Sequence, residues 1–171
     1  WTQVGGDIDG VGADGYAGHS VSLNSEGSRV AIGGYLNDSN GYNSGNARIF
    51  EYSSGSWNQL GDDINGEAEN DQLGTSVSLS SDGVRVAIGA PFNDGTGSDA
   101  GNVRIFEYNG NSWAQVSEID GEAANDYSGT SVSMSSDGSR VAIGAPSNDG
   151  NGNSSGHVRV YSISTESFQP Q

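Results

Sequence analysis

The chain has 171 residues, 32% of them hydrophobic, and a formal net charge of −16. That length suits one domain, and a surface this acidic, whose six basic residues are all Arg, excludes nucleic acid as a partner because it repels phosphate. The absence of Cys rules out disulfides and thiolate metal sites, and no apolar run approaches the roughly 18 residues that span a bilayer, so membrane insertion is not expected.

Few apolar residues and a high charge usually mark a disordered chain. Here the apolar residues are gathered into short alternating runs, and 28 Gly against 3 Pro fit many tight turns. The first element, Trp1 to Ile8, reads as a strand that precedes any complete unit. A unit then starts at Gly18 with GHSVSLNSEGSRVAIGG, recurs at Gly74 with GTSVSLSSDGVRVAIGA, and recurs at Gly129 with GTSVSMSSDGSRVAIGA. Each is followed by a second run: NARIFEY from Asn46, NVRIFEY from Asn102 and HVRVYSI from His157. Trp1, Trp57 and Trp113 head the closing segments and fall about 56 residues apart, the spacing of a tandem repeat.

The second unit shows the strands most clearly. Ser76 to Ser80 is strand A, Arg85 to Ala90 strand B, Asn102 to Tyr108 strand C and Trp113 to Ile119 strand D. Val77 and Leu79 alternate with serines, and Val86 and Ile88 with Arg85, Ala87 and Gly89, which is the period of half-buried strands. Ser81-Asp82-Gly83 makes a tight A–B turn and Asn109 to Ser112 a short C–D turn. The longer connections are Pro91 to Gly101 between B and C, and Asn65 to Gly74 leading into A.

Four antiparallel strands repeated in tandem predict an all-β fold of three β-propeller blades, either a partial propeller or half of a six-bladed ring. Small residues at Ala87, Gly89 and Ala90 let neighbouring blades approach. As one repeat domain over 1–171, residues 1–8 are the outer strand of a preceding or partner blade, 18–64 blade 1, 74–119 blade 2 and 129–171 blade 3. The outer strand of blade 3 is incomplete, with Phe168 at the Trp position. Another copy of the chain, or further repeats, is therefore the expected partner that completes the ring.

Short motifs flank strands A and B. Leu73-Gly74 precedes strand A and Gly89-Ala90-Pro91 ends strand B; Ser128-Gly129 and Gly144-Ala145-Pro146 repeat the pair. The first unit departs, with Ala17-Gly18 and Gly33-Gly34-Tyr35. With the period and strand order, these motifs resemble the FG-GAP repeat of integrin α subunits and of many secreted bacterial and algal proteins. The resemblance implies a secreted or cell-surface adhesion, recognition or scaffold module with ligand contact on the long-loop face, and the lack of a His placed with a nucleophile makes the expected module non-catalytic. Many FG-GAP repeats carry a DxDxDG calcium loop between strands A and B. Here Ser80-Ser81-Asp82-Gly83 offers one carboxylate, against the six to eight oxygens calcium takes. That site is not carried over.

Alternating strand direction sends the B–C and D–A loops to one end of every blade. There lie Asp9, Asp14, Asp38, Glu67, Glu69, Asp71, Asp94, Asp99, Glu122, Asp126 and Asp149, against Glu26, Asp82, Asp137 and Glu166 at the other. Such a face draws cations and basic partners. Asn37-Asp38, Asn93-Asp94 and Asn148-Asp149 recur in the B–C loops, and Asp71 and Asp126 recur before strand A. With Asp99 they are candidate ligands of a hard cation, calcium being the one cofactor in view; the same residues also build turns.

Arg29, Arg85 and Arg140 open strand B, and Arg48, Arg104 and Arg159 lie on strand C. They suit cross-strand pairs with Glu51, Glu107 or a loop Asp, with recognition of a carboxylated or sulfated glycan as the alternative. Trp1, Trp57 and Trp113 suit wedging between blades or stacking on sugars. Asn37 and Asn153 begin sequons open to N-glycans in a eukaryotic secreted protein. His19 and His157 do not recur, and no nucleophile motif accompanies them. The other function classes in view are a structural subunit of a fibre or surface layer, joined through blade edges, and a lectin.

Overall fold

Strands form here where β-branched and aromatic residues alternate with small ones, and they stop at Gly-containing turns. The computed structural model describes residues 1–163 and shows strands and no helix among them. Accordingly, no helix of the described residues is long and apolar enough to cross a membrane.

The first sheet contains β1 (Ser20–Leu23), β2 (Arg29–Gly34), β3 (Asn46–Ser53), β4 (Ser56–Gln59) and the two-residue β5 (Ile64–Asn65). Its order is β1-β2-β3-β4, with β5 also paired to β3. The second holds β6 (Ser76–Leu79), β7 (Arg85–Ala90), β8 (Asn102–Tyr108) and β9 (Trp113–Asp120), in that order. The third holds β10 (Ser131–Met134), β11 (Arg140–Ala145) and β12 (His157–Ser162). All pairings between these strands are antiparallel. The three sheets are the three blades, and the inner strand of each is its strand A. Glu166 and Phe168, and with them the expected start of a further outer strand, lie outside the described residues.

The outer strands differ between units. In blade 2, Phe106 faces Gln115 while Ile105 faces Ser117, so Val116 bulges out of β9. An odd residue has no partner in an antiparallel ladder, and a bulge absorbs it. The first unit carries one more residue at this step. There the strand breaks into β4 and β5 around Gly61, whose φ is 76°. Residues 1–10 form no strand at all. They lie against blade 1 as residues 57–66 lie against blade 2: Trp57 Nε1 donates to Val4 O at 2.9 Å, and Trp113 Nε1 donates to Leu60 O at 2.7 Å.

Successive strand residues point to opposite sheet faces, so an alternating strand has two sides. Blade 2 is apolar on both. Val77, Leu79, Val86, Ile88 and Phe106 pack against Ala31, Ala47 and Ile49 of blade 1. Ala87, Val103 and Ile105 pack against Val141 and Ile143 of blade 3. Most of the hydrophobic core is therefore two inter-blade layers, and a smaller cluster of Val30, Ile32 and Phe50 on blade 1 packs against Ile8 and Trp57.

Beside each of those layers runs a polar seam. The Gly74 carbonyl rests on Gly33, where a Cβ would stand 2.0 Å away, and the Ser20 hydroxyl donates to that carbonyl at 2.7 Å. Gly129 repeats the contact on Gly89, with Ser76 donating at 2.7 Å. Gly74 and Gly129 both take left-handed φ angles, +91° and +87°, to aim that carbonyl. Along the inner strands, Leu79 N donates to Ser22 Oγ at 3.0 Å and Met134 N to Ser78 Oγ at 2.9 Å. The strand-B arginines finish the seam. Arg29 ion-pairs with Glu51 at 2.8 Å and donates from Nη1 to Gly83 O at 3.1 Å. Arg85 does the same with Glu107 and Gly138 O.

Gly89→Ala is expected to lower stability by about 3 kcal/mol or more, because backbone must move to admit the methyl. Gly6→Ala, where nothing lies within 4 Å, should change it by under ~0.5 kcal/mol. Denaturant melts of the two variants check both.

Candidate functional site

The long loops gather at one end of the blades, and their Asn and Asp side chains explain their shape. Asn37, Asn93 and Asn148 each accept through Oδ1 from the amide two residues on, at 2.9 Å. Asp38, Asp94 and Asp149 accept from the amides of Asn43, Asp99 and Ser154 at 2.7, 2.8 and 2.7 Å. Each side chain thus closes its own loop. Asp71 Oδ2 accepts from Ala68 N at 3.0 Å and from Asn93 Nδ2 at 3.2 Å. Asp126 Oδ2 accepts from Ala123 N at 3.2 Å and from Asn148 Nδ2 at 2.8 Å. These two Asp–Asn pairs are buried and pin the B–C loop to the D–A loop of the same blade. The first unit has Gly15 at the position of Asp71, and Asn37 Nδ2 turns to Val11 O at 3.3 Å instead.

The candidate cation ligands therefore separate into buried loop pins (Asp71, Asn93, Asp126, Asn148) and exposed loop caps (Asp38, Asp94, Asp149), with Asp99 supplying a capped amide. No group of three His, Cys, Asp or Glu side chains among the described residues converges to hold a metal ion. Each pin and each cap already accepts a backbone or side-chain amide proton, and that contact accounts for its place in the loop. Of the two sequon residues, Asn153 is exposed. Asn37 is 6% exposed and its amide is engaged on both sides, so attaching a glycan there requires opening the loop.

The two kinds of loop also interlock between blades. Asn40 Nδ2 donates to Gly66 O and Thr96 Oγ1 to Gly121 O, both at 2.7 Å. Asn70 N donates to Tyr42 O and Asn125 N to Ser98 O, both at 2.8 Å. The result is one continuous rim with Asp38, Glu67, Glu69, Asp94, Glu122 and Asp149 exposed along it. Arg159 pairs with Glu122, and His157 stands 3.9 Å from the same carboxylate. Arg104 reaches Glu67 at 3.7 Å. At the end of β9, burial and the neighbouring Glu118 push the Asp120 carboxyl up.

The remaining recurrent residues turn inward. Arg48 Nη2 donates to Asp9 O at 2.6 Å and Arg104 Nη1 to Asn65 O at 3.0 Å. Their guanidinium carbons sit 5.2 and 5.0 Å from the centres of the Phe50 and Phe106 rings. Trp57 and Trp113 lie 5.3 Å from Tyr52 and Tyr108, half-buried against the neighbouring outer segment, whereas Trp1 is fully exposed. Gly89 forms the seam, and Pro91 is buried where the B–C loop leaves it. The signal that separates these roles is the repeat itself, which sets each Trp donor 53 residues and each strand-C Arg 39 residues from its carbonyl.

At the opposite end, the A–B turn carboxylates also cap backbone. Burial raises Asp82, but hydrogen bonds from Ser80 Oγ and Val84 N, with Arg85 nearby, overcome it and hold the carboxyl below its ordinary value. Asp137 accepts from Ser135 and Ser139 and is drawn down to about 2.

Tandem antiparallel blades, packed face to face with their long loops at one end, define a β-propeller module. The sequence model of the FG-GAP repeat family matches residues 65–106 and 113–161. The chain belongs to the FG-GAP repeat family. The first unit, with Gly33-Gly34-Tyr35 in place of Gly-Ala-Pro, lies outside the matched segments. Among solved structures, the chain superposes on a Bacteroides uniformis protein described as a 6-phosphogluconolactonase, with a TM-score of 0.58 and 15% identity. The match covers 90% of this chain and 38% of that one, so this chain spans well under half of that protein. At that identity the two share a fold. No curated protein matches the chain.

Two outcomes follow. Asp126→Ala leaves the buried Asn148 side-chain amide without an acceptor and removes the cap of the Ala123 amide, and is expected to cost about 1–3 kcal/mol in a denaturant melt. Because folding lowers the Asp137 pKa, its contribution to stability is present in full above the ordinary 3.8 and is lost as pH falls through about 2. The Tm gap between wild type and Asp137→Asn should therefore be constant near neutral pH and close as the pH falls toward 2. A gap that persists there contradicts the capping role.

Proposed function

We propose that the chain is a non-catalytic binding or adhesion module of the extracellular space, which meets a basic partner with its acidic loop rim. The observation that carries this reading is the division of labour among the carboxylates. Asp71 and Asp126 are buried in the loops they pin, whereas Asp38, Asp94 and Asp149 cap backbone amides yet stay exposed beside Glu67, Glu69 and Glu122 along one continuous rim. A cleft or rim of one sign concentrates oppositely charged partners and speeds their arrival. Membership of a repeat family typical of extracellular proteins supports the location, as does the Lys-free acidic surface. The histidines support the non-catalytic reading: His19 packs on the Tyr35 ring at 4.3 Å, and His157 faces Glu122. Among the described residues neither imidazole is hydrogen-bonded to a hydroxyl.

The test is surface plasmon resonance with an immobilised poly-arginine peptide and a poly-glutamate control, at increasing salt. Glu67→Gln with Glu69→Gln is expected to slow association with the basic peptide by about tenfold. Glu26→Gln, at the opposite end of the blades, should leave it unchanged. Equal slowing by the two variants, or binding that salt does not weaken, counts against the rim as the binding face.

A further inference from the structure

Each seam in this molecule has two halves, and each half is left open once. The first half is the groove between strands B and C on one face of a blade. In blade 1 it is filled by Leu73-Gly74, whose carbonyls would lie 2.1 Å from a Cβ at Gly45 and 2.0 Å from one at Gly33. In blade 2 it is filled by Ser128-Gly129, at 2.2 Å from Gly101 and 2.0 Å from Gly89. In blade 3 the equivalent glycines, Gly144 and Gly156, meet atoms of their own blade alone among the described residues. Here lies an open groove of about 490 Å³, lined by Ser131, Gly144, Pro146, Gly156 and Val158. Val158 and Val160 beside it are 70% and 65% exposed, whereas their blade 2 counterparts Val103 and Ile105 are fully buried. Arg140 is exposed where Arg85 is half-buried.

The second half is the face that enters such a groove. In blade 2, Val77 and Leu79 are 8% and 7% exposed. In blade 1, the equivalent Val21 and Leu23 are 63% and 60% exposed, next to the Ala17-Gly18 corner. Gly18 has the same left-handed φ, +92°, that aims the carbonyls of Gly74 and Gly129. The two open faces are thus complementary halves of an interface that the chain already forms twice.

We propose that the groove of blade 3 receives the Ala17-Gly18 corner of a second copy of this chain, joining two chains head to tail in the register of the internal seams. Continuity with those seams sets the contacts. The Ser131 hydroxyl donates to the partner's Gly18 carbonyl, as Ser20 and Ser76 do to Gly74 and Gly129. Arg140 reaches the partner's Gly27 carbonyl, and Ser133 Oγ accepts the partner's Leu23 amide. The contact is heterologous, so it closes a ring or propagates without end. Two copies give six blades, within the four to eight that close a propeller. This association uses other residues than the acidic rim, so either can fail while the other is still measured.

Sedimentation equilibrium of the whole chain, with Leu23→Glu and Val160→Glu, tests it. Both sites are exposed, so circular dichroism should show each variant folded. The wild type is expected at twice the 17.5 kDa of one chain. Each variant alone should be monomeric, and an equimolar mixture of the two should recover a dimer, because it retains one intact groove and one intact corner. A monomeric wild type, a ladder of rising masses, or a variant that remains dimeric overturns the proposal.

Discussion

The structure depends on one close approach: a glycine carbonyl of one blade laid on a glycine of the blade before it. At Gly33 and Gly89 a single methyl would collide with that carbonyl. The neighbouring Ser20 and Ser76 hydroxyls satisfy its lone pairs. With the carbonyl seated and hydrogen-bonded, the inner strands come close enough for the Ser22 and Ser78 hydroxyls to accept amides from the next blade. The apolar layers beside the seam then close, and Ile49, Leu73, Ile88 and Ile105 are all but fully buried. A chain this poor in apolar residues keeps a core by making each blade share its two faces.

The same economy shapes the loop end. Asn and Asp fold the long loops through their own backbone contacts, and buried Asp–Asn pairs fix the loops to each other. Backbone groups that would otherwise need a larger protein around them are satisfied locally. Asp38, Asp94 and Asp149 do both jobs, capping an amide while staying exposed, and with Glu67, Glu69 and Glu122 they form the rim of the interlocked loops. Fold and candidate site are thus two products of one repeat.

Much of this was legible in the sequence, and the reasons are specific. Strands B and C of the second unit are bounded by Arg85, Ala90, Asn102 and Tyr108 as the alternation predicts, because period two and flanking Gly mark both ends. Gly89, with Ala87 and Ala90, was legible as a place of close approach; Gly33 and the Gly74 and Gly129 carbonyls that complete the contact were not. The break between β4 and β5 was not, since one extra residue shows only as a length difference and not as a bulge or a gap. Trp1 to Ile8 reads as a strand by its match to Trp57 and Trp113, yet it forms none. A strand needs a ladder partner, and among the described residues this segment touches blade 1 through side chains such as Trp57 and Arg48. The Asn-Asp pairs were ambiguous for a chemical reason: the oxygens that cap an amide are those that ligate a hard cation, and only geometry separates the two roles.

Native-state hydrogen exchange at the Leu79 and Met134 amides tests the seam most directly. Both point away from their own sheets and are held by a serine hydroxyl of the preceding blade. If the seam holds the blades together, both amides exchange only with global unfolding, as slowly as the Val86 and Val103 amides of the core. Exchange at the rate of an open loop, while the core strands stay protected, would show blades that stand alone and would contradict the account.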